Sequence, residues 1–211
     1  MLALGTVFFT SFVIALSGAM VPGPLLTATI SESARRGSAT GPLLILGHGI
    51  LELALVLALL FGLAPLLKQD AVFVAIALAG AVILVWMAWG MFRSLPSLRI
   101  DWDTRQVRSG HLVPTGILLS LSNPYWSIWW VTIGLGYIFY SRQYGYGGIA
   151  AFFLGHISGD LFWYTAVSVI VAKGRRFLTE RVYRGLIGTC AAFLMCFACY
   201  FAYVGLNKLA G

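Results

Sequence analysis

The chain has 211 residues, of which 60% are hydrophobic and 10% charged, with a net charge of +7. A soluble domain carries about 25% charged residues, and surface-to-volume scaling leaves a fold of this size too much exposed area to hide that apolar surface. A soluble protein is excluded. In lipid, at about 20 residues per span, the chain is long enough for about six helices and too short for an added soluble domain.

Apolar runs predict helices over 5–28, 42–67, 71–92, 114–139, 147–172 and 185–208. The first begins without the basic residues or A-x-A site of a signal peptide, so it reads as a retained helix. It ends near Pro22-Gly23-Pro24, and residues 31–41 read as a short polar connection. Proline removes a backbone donor and clashes one turn back. In lipid such a break must lie against protein or a water-filled cavity. A half-helix that starts there offers free N–H groups to an anion, although a packing kink needs no such ligand.

The second helix carries Gly47-His48-Gly49-Ile50-Leu51-Glu52. Lys68-Gln69-Asp70 joins it to the third helix, and residues 93–113 hold Arg93, Arg99, Arg105 and Arg108 with Asp101 and Asp103. The fourth helix is interrupted at Ser122-Asn123-Pro124 and continues Tyr125-Trp126-Ser127-Ile128-Trp129-Trp130. Its indoles, Trp126 and Trp130 among them, fit two roles: interface or core packing, or a cavity wall meeting a substrate ammonium. Arg142 lies in the fourth connection, and the fifth helix reads Gly155-His156-Ile157-Ser158-Gly159-Asp160. Gly155 and Gly159 form G-x-x-x-G, a close-packing face, a role Gly80, Gly90, Gly134 and Gly136 fit as well. Lys173, Arg175, Arg176, Arg181 and Arg184 follow, against Glu180.

Two patterns organise these elements. Eleven of the fourteen Lys and Arg fall in connections one, three and five, which places those in the cytoplasm and both termini outside the plasma (inner) membrane. The charge is thus a topology signal, with attraction to anionic lipid secondary, and no nucleic-acid partner is expected. The second pattern is G-H-x-x-x-acid, repeated in the second helix of each half after a proline-interrupted helix. Three helices per repeat is odd, so the copies run oppositely through the bilayer. The expected fold is an all-α membrane protein of six transmembrane helices in two inverted repeats, 1–93 and 114–211, joined by a cytoplasmic linker at 94–113. Transporters of this kind bind solute at the repeat interface beside broken helices, and one half is expected to rock against the other.

Of seven acidic residues, Glu52 and Asp160 alone lie deep in apolar helices. A charge at the bilayer centre costs about 2.5–3.5 kcal/mol or more, so each is a candidate for binding a proton or a substrate ammonium. His48 and His156 each precede their acid by four residues and share its helix face. The pairs suit a proton relay, a mutual structural hydrogen bond, or, with His48, Glu52, His156 and Asp160 as ligands, a tetrahedral divalent-metal site. Cys190, Cys196 and Cys199 lie in the last helix. Cys196-x-x-Cys199 admits redox chemistry, but cysteines in a lipid-embedded helix are ordinarily small apolar filler. No Walker motif or hydrolase triad is present, so neither an ATP-driven pump nor an enzyme is expected, and no cofactor.

Pro22-Gly23-Pro24, Gly37 and Gly41, Gly62-Leu63 and Asn123-Pro124 together resemble the lysine exporter (LysE-type) family, related to the homoserine/threonine exporters. The resemblance covers essentially the whole chain. It implies export of amino acids or similar metabolites, driven by an ion gradient as an antiporter. It further implies that Pro22, Gly23, Pro24, Asn123 and Pro124 shape the substrate cavity. The wider superfamily keeps a divalent-cation exporter as the alternative. The expected partners are a small-molecule substrate, protons and the lipid bilayer, and a homodimer is compatible with so small a bundle.

Overall fold

A computed structural model describes residues 2–63, 65, 69–97, 111–174 and 179–210. Lys68, Arg99, Asp101, Asp103, Arg105, Arg108, Arg175 and Arg176 lie outside the described residues, as does most of the 94–113 linker. Among the described residues there is no strand.

Helix α1 spans Leu2–Ala19, and α2 spans Pro24–Arg36. The expected single helix over 5–28 is therefore two, and residues 31–36 are helical rather than part of a polar connection. Pro24, with its fixed φ, opens α2 at its first position, behind an extended Gly23. Glu32 pairs with Arg36 and, at 3.5 Å, with Arg35, so this polar stretch is an ion-paired last helical turn with Ser33 and Ala34 buried on its inner face. Gly37 ends α2 at φ +92°, a conformation favoured for glycine.

Helix α3, Thr40–Ala58, runs on through a π turn at Leu59–Leu63 that closes on Gly62 at φ +111°. Helix α4 is Asp70–Ser94. The expected fourth span is divided: α5 is Leu112–Leu121, α6 is Pro124–Trp129, and a π turn at Trp130–Gly134 leads into α7, Leu135–Arg142. Asn123 caps α6, its side-chain oxygen accepting from the Tyr125 N–H at 3.1 Å. Helix α8 is Gly145–Gly174, and α9 is Glu180–Ala210, beginning five residues before the apolar run does, with Glu180 and Arg184 paired at 3.4 Å along its first turns. Among the described residues, five helical stretches are long and apolar enough to cross a membrane, and Leu112–Leu121 is a shorter apolar one.

Packing runs across the sequence halves. Helix α1 lies on α8, α3 on α5, and α4 on α9. Every fourth residue of α1, from Val7 to Ala19, is buried. Ser11 donates to the Phe152 carbonyl of α8 at 2.8 Å. A methyl added at Gly155 or Gly159 would meet the Phe8 or Phe12 carbonyl of α1, so this G-x-x-x-G face brings two backbones together. Gly47 and Gly116 do the same for α3 and α5. Gly80 faces Pro124 and Gly134 faces the Trp130 ring, whereas Gly90 and Gly136 meet open space and pack nothing. Ser168 of α8 accepts from the Gly41 N–H at 2.7 Å and bonds Ser33 at 2.8 Å, tying α2 and the start of α3 to α8. Cys190 is buried, while Cys196 and Cys199 are exposed on the outer face of α9 without a disulfide.

Candidate functional site

Helices α3 and α8 each present a His and an acid one turn apart, and the two faces meet. His48 Nε2 lies 3.0 Å from Glu52 Oε1 and 3.5 Å from Asp160 Oδ2. His156 Nε2 lies 3.2 Å from Glu52 Oε2 and 3.4 Å from Asp160 Oδ2. The four side chains close a ring in which imidazoles and carboxylates alternate. All four are buried, Glu52 to 1% exposure. A buried carboxylate persists when it is paired and hydrogen-bonded, and the ring supplies that pairing.

The two carboxyls are held differently. Trp126 and Trp130 both donate to Glu52 Oε1, at 3.1 and 2.9 Å. Glu52 Oε2, by contrast, has no hydrogen bond among the described residues. Asp160 Oδ2 has the two longer imidazole contacts and, among the described residues, no hydrogen bond. On α5, Ser120 donates to the Gly116 carbonyl at 2.7 Å, which leaves its oxygen to accept from His48 Nδ1 at 2.7 Å. His48 thereby keeps a proton on Nδ1, and its Nε2 faces both carboxyls. His156 lies tilted against Trp129 with ring centroids 4.7 Å apart, and its Nδ1 has no partner among the described residues. The Trp129 indole N–H is likewise buried without an acceptor among the described residues.

The ring opens onto a cavity with about 70 Å³ accessible to solvent, room for a few waters. Of the expected residues, Pro22, Gly23, Asn123 and Trp126 line it with the ring. Pro24, Pro124 and Trp130 do not. Pro24 is buried behind the break, whereas Pro124 and Trp130 border a second, apolar cleft between α3 and α4. Trp130 acts on the site from behind, through Glu52. Ser120, Trp129, Tyr164, Leu84, Leu194 and Phe197 also line the cavity and were not legible as site residues. Trp129 was signalled only as a member of a tryptophan cluster, and a lone serine or leucine in an apolar helix carries no signal.

The ring can hold a proton between imidazole and carboxyl, offer an acceptor to an ammonium, or gather a cation: one ligand atom each of His48, Glu52 and Asp160 lie within 4.8 Å of one another.

Residues 16–205 match the family described as LysE type translocator. The chain is 26% identical over 210 residues to a Bacillus subtilis (strain 168) protein named "Putative amino acid efflux protein YcgF", covering 97% of this chain and 99% of that one. No solved structure matches the chain.

Proposed function

The chain belongs to the LysE type translocator family, and from that premise we propose that it exports amino acids or similar small zwitterions in exchange for protons. The observation that carries this reading is the closed ring of two imidazoles and two carboxyls beside a cavity at two helix breaks. The name given to the Bacillus relative points the same way.

Glu52, fixed by two indoles, anchors the ring as a standing acceptor. Asp160, with no such donors, is the group that exchanges. A proton and a substrate ammonium compete for it, and that competition is the coupling of an antiporter. The substrate carboxylate lies toward the start of α2, whose first-turn N–H groups have no side-chain cap. Helix α5 and the helix from Pro124 together form a sixth span, so the chain is read as two inverted three-helix repeats. The basic connections face the cytoplasm, and both termini lie outside the plasma membrane.

The test is efflux from proteoliposomes with and without a pH gradient, over an amino-acid panel. Wild-type efflux should be accelerated by the gradient, and Asp160→Asn should lose both the acceleration and most of the flux. An Asp160→Asn protein with unaltered flux and pH dependence would sink the mechanism. The convergence of His48, Glu52 and Asp160 donor atoms favours one second reading, export of a divalent cation. Flux of metal alone, lost in His48→Ala, would establish it instead.

A further inference from the structure

We infer that the exported solute is an amino acid with an uncharged, apolar side chain, an inference that rests on the amino-acid export reading above. The cavity has two unlike walls. One is the ring with Ser120, Asn123 and the indoles. The other, contributed by α4 and α9, consists of Leu84, Leu194 and Phe197. Leu84 and Leu194 are each 1% exposed and sit in the apolar cluster that joins the two helices. Phe197 lies against Tyr125 with ring centroids 5.9 Å apart, which sets the width between this wall and α6.

Charge decides what the second wall accepts. The cavity's described carboxyls are Glu52 and Asp160, and each is shared between two imidazoles. An α-ammonium occupies the one that exchanges. A lysine or arginine side chain would bring a second cation with no carboxylate left to meet it, and an unpaired buried charge is strongly disfavoured. An acidic side chain would add an anion beside two already present. A hydroxyl or amide would lose its water partners against leucine and phenylalanine and gain none. An aliphatic or aromatic side chain gains from burial on the same wall.

The experiment is counterflow into proteoliposomes holding the purified full chain, with labelled leucine, methionine, phenylalanine, threonine, lysine and glutamate. The first three should exchange faster than the last three by about tenfold or more. A preference for threonine, lysine or glutamate overturns this inference and leaves amino-acid export standing. Failure to exchange any amino acid overturns both. Phe197→Ala, at a partly buried ring, enlarges the apolar wall and should raise the phenylalanine-to-leucine ratio by roughly tenfold. A ratio that stays put in this variant overturns the assignment of that wall to the side chain.

Discussion

The most informative side chain in the site is a tryptophan that never touches the cavity. Trp130 is fully buried, and its indole donates to Glu52 at 2.9 Å. A hydrogen bond to a charged group contributes about 1.5–3 kcal/mol, and the penalty falls on the buried partner left unmet. Trp130→Phe keeps the ring and deletes the N–H. Its transport rate should therefore fall by roughly ten- to a hundredfold, while the purified protein still elutes as a single folded species. Wild-type rates in this variant would mean that Glu52 needs no second donor. Ser120→Ala tests the other end of the network. It leaves His48 Nδ1 without its acceptor, so the imidazole is no longer held to one proton arrangement, and the pH at which efflux is half-maximal should move. The G-H-x-x-x-acid repeat exposed the ring in the sequence, because charge in an apolar helix is rare enough to stand out. The Trp130 indole lies 78 residues from Glu52 and the Ser120 hydroxyl 72 from His48 along the chain, and tertiary contacts of that kind leave no mark in local pattern.

At the scale of elements, the apolar runs located the helices, and their interruptions were harder to read. Pro22-Gly23-Pro24 is visible as a break, but composition cannot tell that helix resumes at Pro24 and runs on through a polar stretch, because Glu32 with Arg35 and Arg36 makes that stretch a stable amphipathic turn. The π turn at Trp130–Gly134 was illegible too. Within it the Trp130 ring occupies the space that a side chain at Gly134 would need, a tertiary fit no periodicity reports. Glycines carry the helix contacts unequally. A methyl at Gly47 would overlap the Val113 carbonyl, and the backbones of α3 and α5 would have to part. Gly47→Ala should cost about 1–3 kcal/mol or more in detergent thermal unfolding. Gly90→Ala meets nothing and should be neutral or stabilise by about 0.5–1 kcal/mol, the helix-interior difference between the two residues. Equal effects at the two positions would mean that the α3–α5 seam is not set by close backbone approach.

At the scale of the whole molecule, packing departs from the halves read in the sequence in one consequential way. Sequence divides the chain into halves at 1–93 and 114–211, and rocking one half on the other is the simplest motion that division suggests. Packing does not respect the division. Helix α1 lies on α8 and α3 lies on α5, each contact joining one half to the other. A rigid half would tear the seams at Gly155 and Gly47 that hold backbones closest. Helices α4 and α9 form a different kind of unit. They share a core of Ala81, Leu84, Ala88, Leu194, Ala198 and Phe201, and Asp70 meets Lys208 at 2.8 Å across their exposed ends, a surface pair that contributes little. The apolar cleft separates α4 from α3. With room for a few waters only, the cavity must widen before an amino acid enters, and displacing the α4–α9 pair widens it without breaking a glycine seam. A cross-link inside that pair should then be harmless. A methyl at Gly205 would stand 3.3 Å from the Ala77 Cβ, close to disulfide range. Ala77→Cys with Gly205→Cys, in a background with Cys190, Cys196 and Cys199 replaced, should transport within about twofold of its reduced form after oxidation, because a bond inside a rigid body restrains no motion between bodies. Arrest on oxidation, reversed by reductant, would show that α4 and α9 slide on each other during transport and that the moving boundary lies between them.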